Sequence, residues 1–306
     1  MRIADFASCE ALNPQSQIRS PQFPTMPISP DLPIIDAWAQ PARREAFEKM
    51  PEVARLFKQS GSAHLLETGL TATQIVEAMD RAGIQTLMLS AWHRPGEWIF
   101  HNDLIAEMVA QFPDRFVGVA AVNLEKPVEA VRELDRAVKE LNFKALRVVP
   151  WLWNRPPNDK FYFPLYVKCI ELDIPFCTQV GHTGPLMPSE TGRPVPYLDE
   201  VALVFPELKI VAGHIGHPWT DEMIGVAWKH ENVYIDTSAY LPRYYPPQLL
   251  HYLKTYGQDK VLFGSNFPQL ALEKCVGQAN ELGLSEQVKA KFLFQNAQRV
   301  FKLGAA

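Results

Sequence analysis

Side chains that can move protons or bind oxyanions follow several short apolar segments of the sequence. His182 and His214 each come directly after one such segment, and imidazole is the side chain that titrates nearest to neutral pH. Asp36 lies in the first of these segments and Asn266 follows the last. The set predicts general acid–base catalysis with His214 as the proton carrier, and with His182, Asp36 and Asn266 as further catalytic candidates.

Eight short segments rich in β-branched and apolar residues must position these side chains, and each is predicted to be a β-strand. Longer amphipathic segments separate them. Within residues 125–141, for example, Val131, Leu134 and Val138 recur at spacings of three and four, which is typical of a helix with one apolar face. The predicted strands are residues 33–38, 84–91, 116–123, 143–150, 174–181, 208–213, 232–238 and 260–265.

Strands that alternate with helices form parallel sheets, and eight such units in a chain of this length are typical of a (β/α)8 TIM barrel. An open doubly wound sheet is the alternative. It is disfavoured because no GxGxxG follows the first strand and no GxxxxGK[ST] occurs. We therefore predict a single domain over residues 33–306, with a helix at residues 286–303 that packs outside the barrel or closes its lower end. Six prolines from Pro14 to Pro33 predict an extended N-terminal arm over residues 1–32.

The loops at the carboxyl ends of the strands, where TIM barrels carry their reactive groups, are rich in aromatic residues and arginines. Arginine binds carboxylates with two parallel hydrogen bonds, and aromatic walls suit a flat ring. We therefore expect a small anionic, aromatic substrate. The alternative is that the arginines merely keep long loops solvated. The candidate substrate-binding residues are Trp38, Gln40, Arg147, Trp151, Gln179, Arg193 and Tyr240.

The composition limits the partners that this chain can have. It has 306 residues, with 30 lysines and arginines against 34 aspartates and glutamates, so a basic surface for nucleic acid is not expected. No apolar run approaches the roughly 18 residues that span a bilayer, and the first residues lack the apolar stretch of a signal peptide. We expect a cytoplasmic protein without nucleic-acid or membrane partners. The four cysteines are dispersed and predict no disulfide framework.

Four segments resemble signatures of the amidohydrolase-related family, which includes aminocarboxymuconate-semialdehyde decarboxylase and the resorcylate decarboxylases. The segments are LKIVAGHIGHPW, NVYIDTSAY, DKVLFGSNFP and FLFQNAQRVFKL, at predicted strands six, seven and eight and in the final helix. The resemblance implies a TIM barrel, a homodimer and a divalent metal at the carboxyl end of the barrel. It also implies that a histidine on strand six, here His214, donates or accepts a proton.

The residues that the family uses as metal ligands are mostly different in this sequence. The family's D-x-H-x-H motif falls on residues 36–40, where Trp38 and Gln40 stand in place of the two histidines. Its strand-five histidine falls on Gln179, and its strand-eight aspartate falls on Asn266. Because neutral amides and an indole are poor ligands for zinc, we expect no cofactor.

Our central hypothesis is that an amide cluster takes over the role of the metal. Gln40, Gln179 and Asn266 would converge and donate hydrogen bonds to a substrate oxyanion. A degenerate pocket without catalysis is one alternative. A weakly bound divalent metal such as zinc is another, and its ligands would be Asp36, His182 and His214.

The family resemblance implies cleavage of carbonyl-activated bonds. We predict first a hydrolase that cleaves an ester, a lactone or a β-keto carbon–carbon bond of a small anionic substrate, either a carboxylate or a CoA ester. The alternative within the same family is a decarboxylase of an aromatic or muconate-type carboxylate. A non-catalytic protein that binds a small molecule is the alternative from a different class.

Overall fold

Eight parallel strands form the barrel that the alternating pattern predicts. The computed structural model describes residues 32–304, so the predicted arm at residues 1–32 lies outside the described residues except for Leu32. The barrel strands pair in chain order, and each of these pairings is parallel. They are β1 (Ile35–Ala39), β2 (Thr86–Ser90), β5 (Phe116–Ala120), β6 (Ala145–Arg147), β7 (Phe176–Gln179), β8 (Ile210–Gly213), β9 (Val233–Asp236) and β10 (Val261–Leu262). The strands β3 (Trp92–Arg94) and β4 (Glu97–Phe100) form a separate antiparallel hairpin.

Main-chain hydrogen bonds close the barrel between β1 and the segment after β10. The Asn266 amide donates to the Trp38 carbonyl at 2.9 Å, and Ala39 forms a parallel bridge with Phe267. This closure brings the ends of the first and last strands together, as predicted. As a result Gln40 Nε2 donates to Asn266 Oδ1 at 3.2 Å, although 226 positions separate the two residues.

The last strand is shorter than the predicted residues 260–265, because Phe263 donates its amide to the carbonyl of Phe292 instead of continuing the ladder. The seam at this point is held by side chains. The main-chain amide of Ser265 donates to Asp36 Oδ1 at 3.0 Å, and the Ser265 hydroxyl donates to the same carboxylate. Asp36 is therefore a structural tie between the first strand and the chain after the last one.

The helices follow the predicted pattern with a few differences. The predicted helix at residues 42–59 is interrupted at Met50 and Pro51, where the chain makes a 3-10 turn. The helix Leu272–Asn280 and the β3–β4 hairpin were not predicted. No helix within residues 32–304 is long and apolar enough to cross a membrane. The α-helices are α1 (Arg44–Lys49), α2 (Ala54–Ser60), α3 (Leu65–Thr68), α4 (Ala72–Ala82), α5 (Asn102–Gln111), α6 (Pro127–Lys139), α7 (Pro150–Trp153), α8 (Phe163–Glu171), α9 (Asp199–Val204), α10 (Thr220–Lys229), α11 (Pro247–Lys254), α12 (Leu272–Asn280), α13 (Glu286–Ala290) and α14 (Asn296–Val300).

The C-terminal helical segment closes the barrel at the end opposite the predicted site. Residues Lys291–Gln295 between α13 and α14 form a π-helical turn. After it, Ala297, Val300 and Phe301 pack in the same buried cluster as barrel residues such as Val119. Of the two predicted placements for the helix at residues 286–303, closure of the lower end is confirmed.

We expect Gly118→Ala to destabilise the protein by about 1–3 kcal/mol, the usual cost of overpacking a core. A Cβ atom at Gly118 on β5 would lie 2.3 Å from the ring of Phe143, which is fully buried. The matched control is Gly225→Ala on α10, where a Cβ atom meets nothing within 4 Å. Alanine there should stabilise the helix by about 0.5–1 kcal/mol. Urea unfolding measures both changes, and equal stability of the two variants would contradict the packing argument.

Candidate active site

A cavity of about 230 Å³ lies at the carboxyl ends of the barrel strands. Its polar floor consists of Gln40, Gln179, His214 and Asn266, and its apolar wall comes from the helices after β1. Eight predicted site residues line the cavity, namely Trp38, Gln40, Trp151, Gln179, His182, His214, Tyr240 and Asn266. Three predicted residues, Asp36, Arg147 and Arg193, do not line it.

The carboxamide nitrogens of the floor are already bonded within the protein. Gln40 Nε2 donates to the main-chain carbonyl of residue 267 at 2.8 Å, and Gln179 Nε2 donates to that of residue 181 at 3.1 Å. Asn266 Nδ2 donates to Gln269 Oε1 at 2.7 Å. The side chains do converge, but nearby carbonyl groups already accept the N–H groups of Gln40 and Gln179, which argues against these two as oxyanion donors. Asn266 Nδ2 uses one of its two N–H groups toward Gln269, so its role as an oxyanion donor stays a prediction.

Residues that line the cavity carry four buried polar atoms without a hydrogen-bond partner in the described chain. They are Oε1 of Gln40, Oε1 of Gln179, Nε1 of Trp38 and Nε1 of Trp92. An unpaired buried polar group costs about 1–3 kcal/mol, so a ligand that pairs with these atoms is favoured. The amide oxygens accept and the indole nitrogens donate. Trp92 was predicted only as one of the aromatic residues of the loops, although its position directly after a predicted strand end indicated a place in the cavity.

His214 is tied to a carboxylate through a serine. Its Nδ1 atom lies 2.8 Å from the Ser238 hydroxyl oxygen, and the Ser238 hydroxyl donates to Asp236. Because this hydroxyl proton is used toward Asp236, Nδ1 carries the proton of the neutral imidazole and Nε2 is left as an acceptor. Burial, followed by the positive charge of Arg147, lowers the pKa of His214 to about 3. The free protein thus holds His214 neutral at physiological pH.

Ser238 was not among the predicted site residues. It stands two positions after Asp236, and period-two geometry places alternate residues of a strand on the same face. That spacing was the available signal. The main-chain amide of Ser238 also donates to Asp236 Oδ1 at 2.9 Å, which fixes the carboxylate that accepts the hydrogen bond from the Ser238 hydroxyl.

Arg147 lies beneath the floor instead of in the cavity. Its guanidinium carbon is 3.7 Å from the centroid of the Trp38 ring, and its Nη atoms each donate to a β1 carbonyl, of Ala37 and of Ala39, at 3.2 Å. The side chain is 2% exposed. The structure corrects the prediction that Arg147 binds substrate, because its guanidinium group is already bonded to β1 carbonyls and packed on the ring of Trp38.

Two buried carboxylates share this interior with Arg147. Burial raises the pKa of Asp36 to about 6 and that of Asp236 to about 7, because a buried carboxylate loses its hydration. Hydrogen bonds from serines and the charge of Arg147 oppose part of this rise. Asp236 Oδ2 has no partner among the described residues, which agrees with the larger shift.

Arg193, which was expected at the mouth of the cavity, pairs with an acidic residue. Arg193 lies 2.7 Å from Glu222 at the start of α10, and both side chains are partly exposed. Arg193 does not line the cavity, so its role in binding substrate stays a prediction. No lysine, arginine, aspartate or glutamate of the described chain lines the cavity. Its polar side chains are those of the floor together with Gln269, His182, Tyr240 and the indoles of Trp38, Trp92 and Trp151.

His182 lies at the rim of the cavity and is exposed. Its Nδ1 atom is 3.3 Å from both the Tyr240 hydroxyl and the carbonyl of His217. The predicted catalytic residue thus has a hydrogen-bonded aromatic neighbour at the rim. It does not contact His214 directly in the described hydrogen bonds.

Residues 76–303 match the family model described as amidohydrolase. The chain belongs to this family. The match spans seven of the eight barrel strands and the C-terminal helices, and it confirms the family resemblance seen in the sequence.

Relatives of known structure or activity share the same barrel. γ-Resorcylate decarboxylase of Polaromonas sp. (strain JS666 / ATCC BAA-500) is 26% identical over 288 aligned positions, which cover 74% of this chain and 86% of that protein. An uncharacterized TIM-barrel protein of Bordetella bronchiseptica superposes with a TM-score of 0.77 at 23% identity over 89% of this chain and 99% of that one. 5-Carboxyvanillate decarboxylase of Novosphingobium aromaticivorans DSM 12444 superposes with a TM-score of 0.67 at 19% identity, over 88% of this chain and 95% of that one. That structure was solved with manganese and 4-hydroxy-3-methoxy-5-nitrobenzoic acid.

These relatives correct two expectations. The Polaromonas and Novosphingobium proteins are decarboxylases, so the alternative of a decarboxylase is better supported than the hydrolase predicted first. The expectation that no cofactor is needed is wrong, because a decarboxylase with this fold contains manganese. The zinc ligand set Asp36, His182 and His214 is also corrected, since no three histidine, cysteine, aspartate or glutamate side chains within residues 32–304 lie close enough together to hold a metal.

The floor of the cavity contains unpaired oxygen atoms that bear on manganese binding. Oε1 of Gln40 and Oε1 of Gln179 are buried carbonyl oxygens without partners. Carbonyl oxygen is a ligand that suits manganese, whereas zinc prefers imidazole and thiolate. These two oxygens are therefore donors of a kind that manganese accepts.

We expect Asp236→Asn to change how stability depends on pH. The pKa of Asp236 rises from 3.8 to about 7 on folding, so between these values the folded protein binds a proton that the unfolded chain releases. The stability contributed by this group is fully present below the unfolded pKa and is lost as pH rises through the folded one, at up to about 1.4 kcal/mol per pH unit. Urea unfolding across this range should show the variant gaining stability relative to the parent as pH rises.

The difference between the two proteins isolates Asp236, because the lowered pKa of His214 contributes an opposite slope to both. Asp114→Asn, at an exposed turn, is the matched control and should leave the slope unchanged. A stability difference between Asp236→Asn and the parent that stays constant with pH would refute the raised pKa of this carboxyl.

Proposed function

We propose that this protein is a decarboxylase of a hydroxylated aromatic carboxylate. The observation that carries the proposal is the chain from His214 through Ser238 to Asp236, which presents a neutral imidazole with a free Nε2 acceptor at a cavity walled by aromatic residues. The relatives favour decarboxylation over hydrolysis. The homodimer, the cytoplasmic location and the single domain at residues 33–306 stay predictions.

Neutral donors replace arginine in binding the substrate. The indole N–H groups of Trp38 and Trp92 are buried and unpaired, so they are suited to donate to the two oxygens of a carboxylate. The amide oxygens of Gln40 and Gln179 are acceptors, so the hydroxyl side of the ring lies toward them, either directly or through a metal ion. Trp151 adds aromatic surface on the same side as Trp92, since their ring centroids are 6.2 Å apart.

His214 supplies the proton that replaces the carboxylate. An anion in the cavity favours the imidazolium, so substrate binding brings a solvent proton to Nε2. The hydrogen bond through Ser238 to Asp236 stabilises that cation. The Nε2 proton then moves to the ring carbon that carries the carboxylate, and the bond between the two carbons breaks. Carbon dioxide leaves, the electron pair of the broken bond restores the aromatic ring, and imidazole is neutral again.

The floor of the cavity is the proposed manganese site. Gln40 and Gln179 would hold the ion with their Oε1 atoms, and the bound ion would supply a Lewis acid that polarises the substrate oxygens. Without a protein carboxylate among its ligands, the ion should bind more weakly than in a carboxylate cage.

His214→Asn should lower kcat/KM for decarboxylation by about 10²–10⁴-fold, the usual contribution of a general acid–base residue. Carbon dioxide release from a panel of hydroxybenzoates measures this. The variant should also lose the proton uptake on substrate binding, which calorimetry in buffers of different ionisation enthalpy detects. His251→Asn, on the exposed face of α11, is the control and should match the parent.

A parent protein that releases no carbon dioxide from any hydroxybenzoate would overturn the decarboxylase proposal. A His214→Asn variant that retains full activity would instead remove this residue from the proton step.

Gln40→Leu should weaken manganese binding by at least about tenfold, since even residues outside the ligand shell cost this much when changed. Electron paramagnetic resonance of free manganese measures the binding without turnover. Gln85→Leu is the matched control, because its Oε1 atom is also buried and unpaired but lies just before β2, at the other end of the barrel. A parent that binds no manganese, or a Gln40→Leu variant that binds it equally well, would show that the floor is not the metal site.

A further inference from the structure

The cavity has one side that the decarboxylation chemistry does not use. This apolar wall consists of Phe47, Met50, Val53, Leu56 and Phe57, from α1, the 3-10 turn after it and α2. The rings of Phe47 and Phe57 pack edge to face with centroids 4.8 Å apart. The helices after β1 therefore give one side of the cavity a continuous apolar surface.

The same helices keep their charged side chains away from the cavity. Arg44 pairs with Glu48 one turn later at 2.8 Å, and Glu52 pairs with Arg94 of the hairpin at 3.3 Å. These charged residues do not line the cavity. The segment is therefore amphipathic, with its apolar face turned to the space where the substrate binds.

The wall is held in place by the loop on the other side of the mouth. Arg55 Nη2 donates to the Gly184 carbonyl at 3.0 Å. A Cβ atom at Gly184 would lie 3.0 Å from a methyl carbon of Leu56, so the loop packs closely against the wall. Both contacts fix the width of the apolar half, and glycine at residue 184 leaves room for Leu56.

The volume exceeds what an unsubstituted ring requires. A cavity of about 150 Å³ that is lined by apolar side chains holds benzene, and this cavity measures about 230 Å³. The polar groups of an aromatic acid are bound by the floor and the indoles. The wall offers apolar surface beside the ring, and a polar or charged substituent would lose its hydration there without a partner.

We propose that the apolar wall is a subsite for an alkyl or alkenyl substituent of the substrate, so that the substrate class is an alkylated hydroxybenzoate. The substituent lies on the ring edge that faces away from the carboxylate. This inference rests on the proposed function for the carboxylate half of the substrate, but the subsite itself binds through burial of apolar surface alone.

Binding of 4-alkylphenols tests the subsite without turnover, because these compounds carry no carboxylate. Calorimetry should give dissociation constants for phenol and its methyl, ethyl and propyl derivatives that fall three- to fourfold per added carbon, which corresponds to about 0.8 kcal/mol per buried methylene. The gain should stop when the subsite is full. Equal affinities across the series would overturn the proposal.

Leu56→Asn tests whether the gain arises at the wall. Leu56 is only half-buried, so the variant should fold, and circular dichroism checks this. Its affinities should become flat along the series. Leu104→Asn, at a half-buried leucine on α5 outside the cavity, is the matched control and should retain the full gain. A gain that survives in Leu56→Asn places the alkyl group elsewhere and overturns the proposal.

The two proposals fail separately. If 4-alkylphenols bind with the expected increments but alkylated hydroxybenzoates release no carbon dioxide, the subsite stands and the decarboxylase proposal falls. If hydroxybenzoates are decarboxylated with kcat/KM independent of alkyl length, the function stands and the subsite falls.

Discussion

The buried guanidinium of Arg147 is the constraint on which the site depends. A charge inside the barrel must be paired or solvated by the protein, and here two β1 carbonyls and the face of Trp38 do this. The ring of Trp38 in turn fills the space beside Gly213, where a Cβ atom would lie 2.6 Å from it. The centroid of the His214 ring is 5.2 Å from that of Trp38. One buried cation thus positions the first strand, an indole of the cavity and the proton carrier.

The same charge sets the electrostatics of the cavity. It opposes the imidazolium of His214 and partly offsets the burial of Asp36 and Asp236. The carboxylates have separate roles, because Asp36 is bonded to Ser265 at the seam of the barrel while Asp236 is bonded to Ser238. Neutral groups then face the substrate. The division of the cavity into a polar floor and an apolar wall follows, since all the charge lies below it or outside it.

Most of the barrel was predictable because its signals are local. The period of three to four in residues 127–139 and the apolar runs of the strands depend only on neighbours in the chain. The prediction of the last strand failed because a distant group competes for the backbone: Phe263 bonds to Phe292, which shortens β10. The break in the first predicted helix is local, since Pro51 has no amide proton with which to continue it. The hairpin of Trp92–Arg94 and Glu97–Phe100 was not predicted, and it lies in the segment between a predicted strand and a predicted helix.

The sequence by itself determined which residue types stand at the strand ends, including the amides at 40, 179 and 266 and the histidine at 214. It could not determine the direction in which those amides bond. Only the tertiary structure decided that the N–H groups of Gln40 and Gln179 are taken by carbonyls, that Arg147 lies under Trp38, and that Ser238 connects His214 to Asp236. The physical reason is that a hydrogen bond depends on both partners, and the partners of Gln40, Arg147 and His214 are distant along the chain.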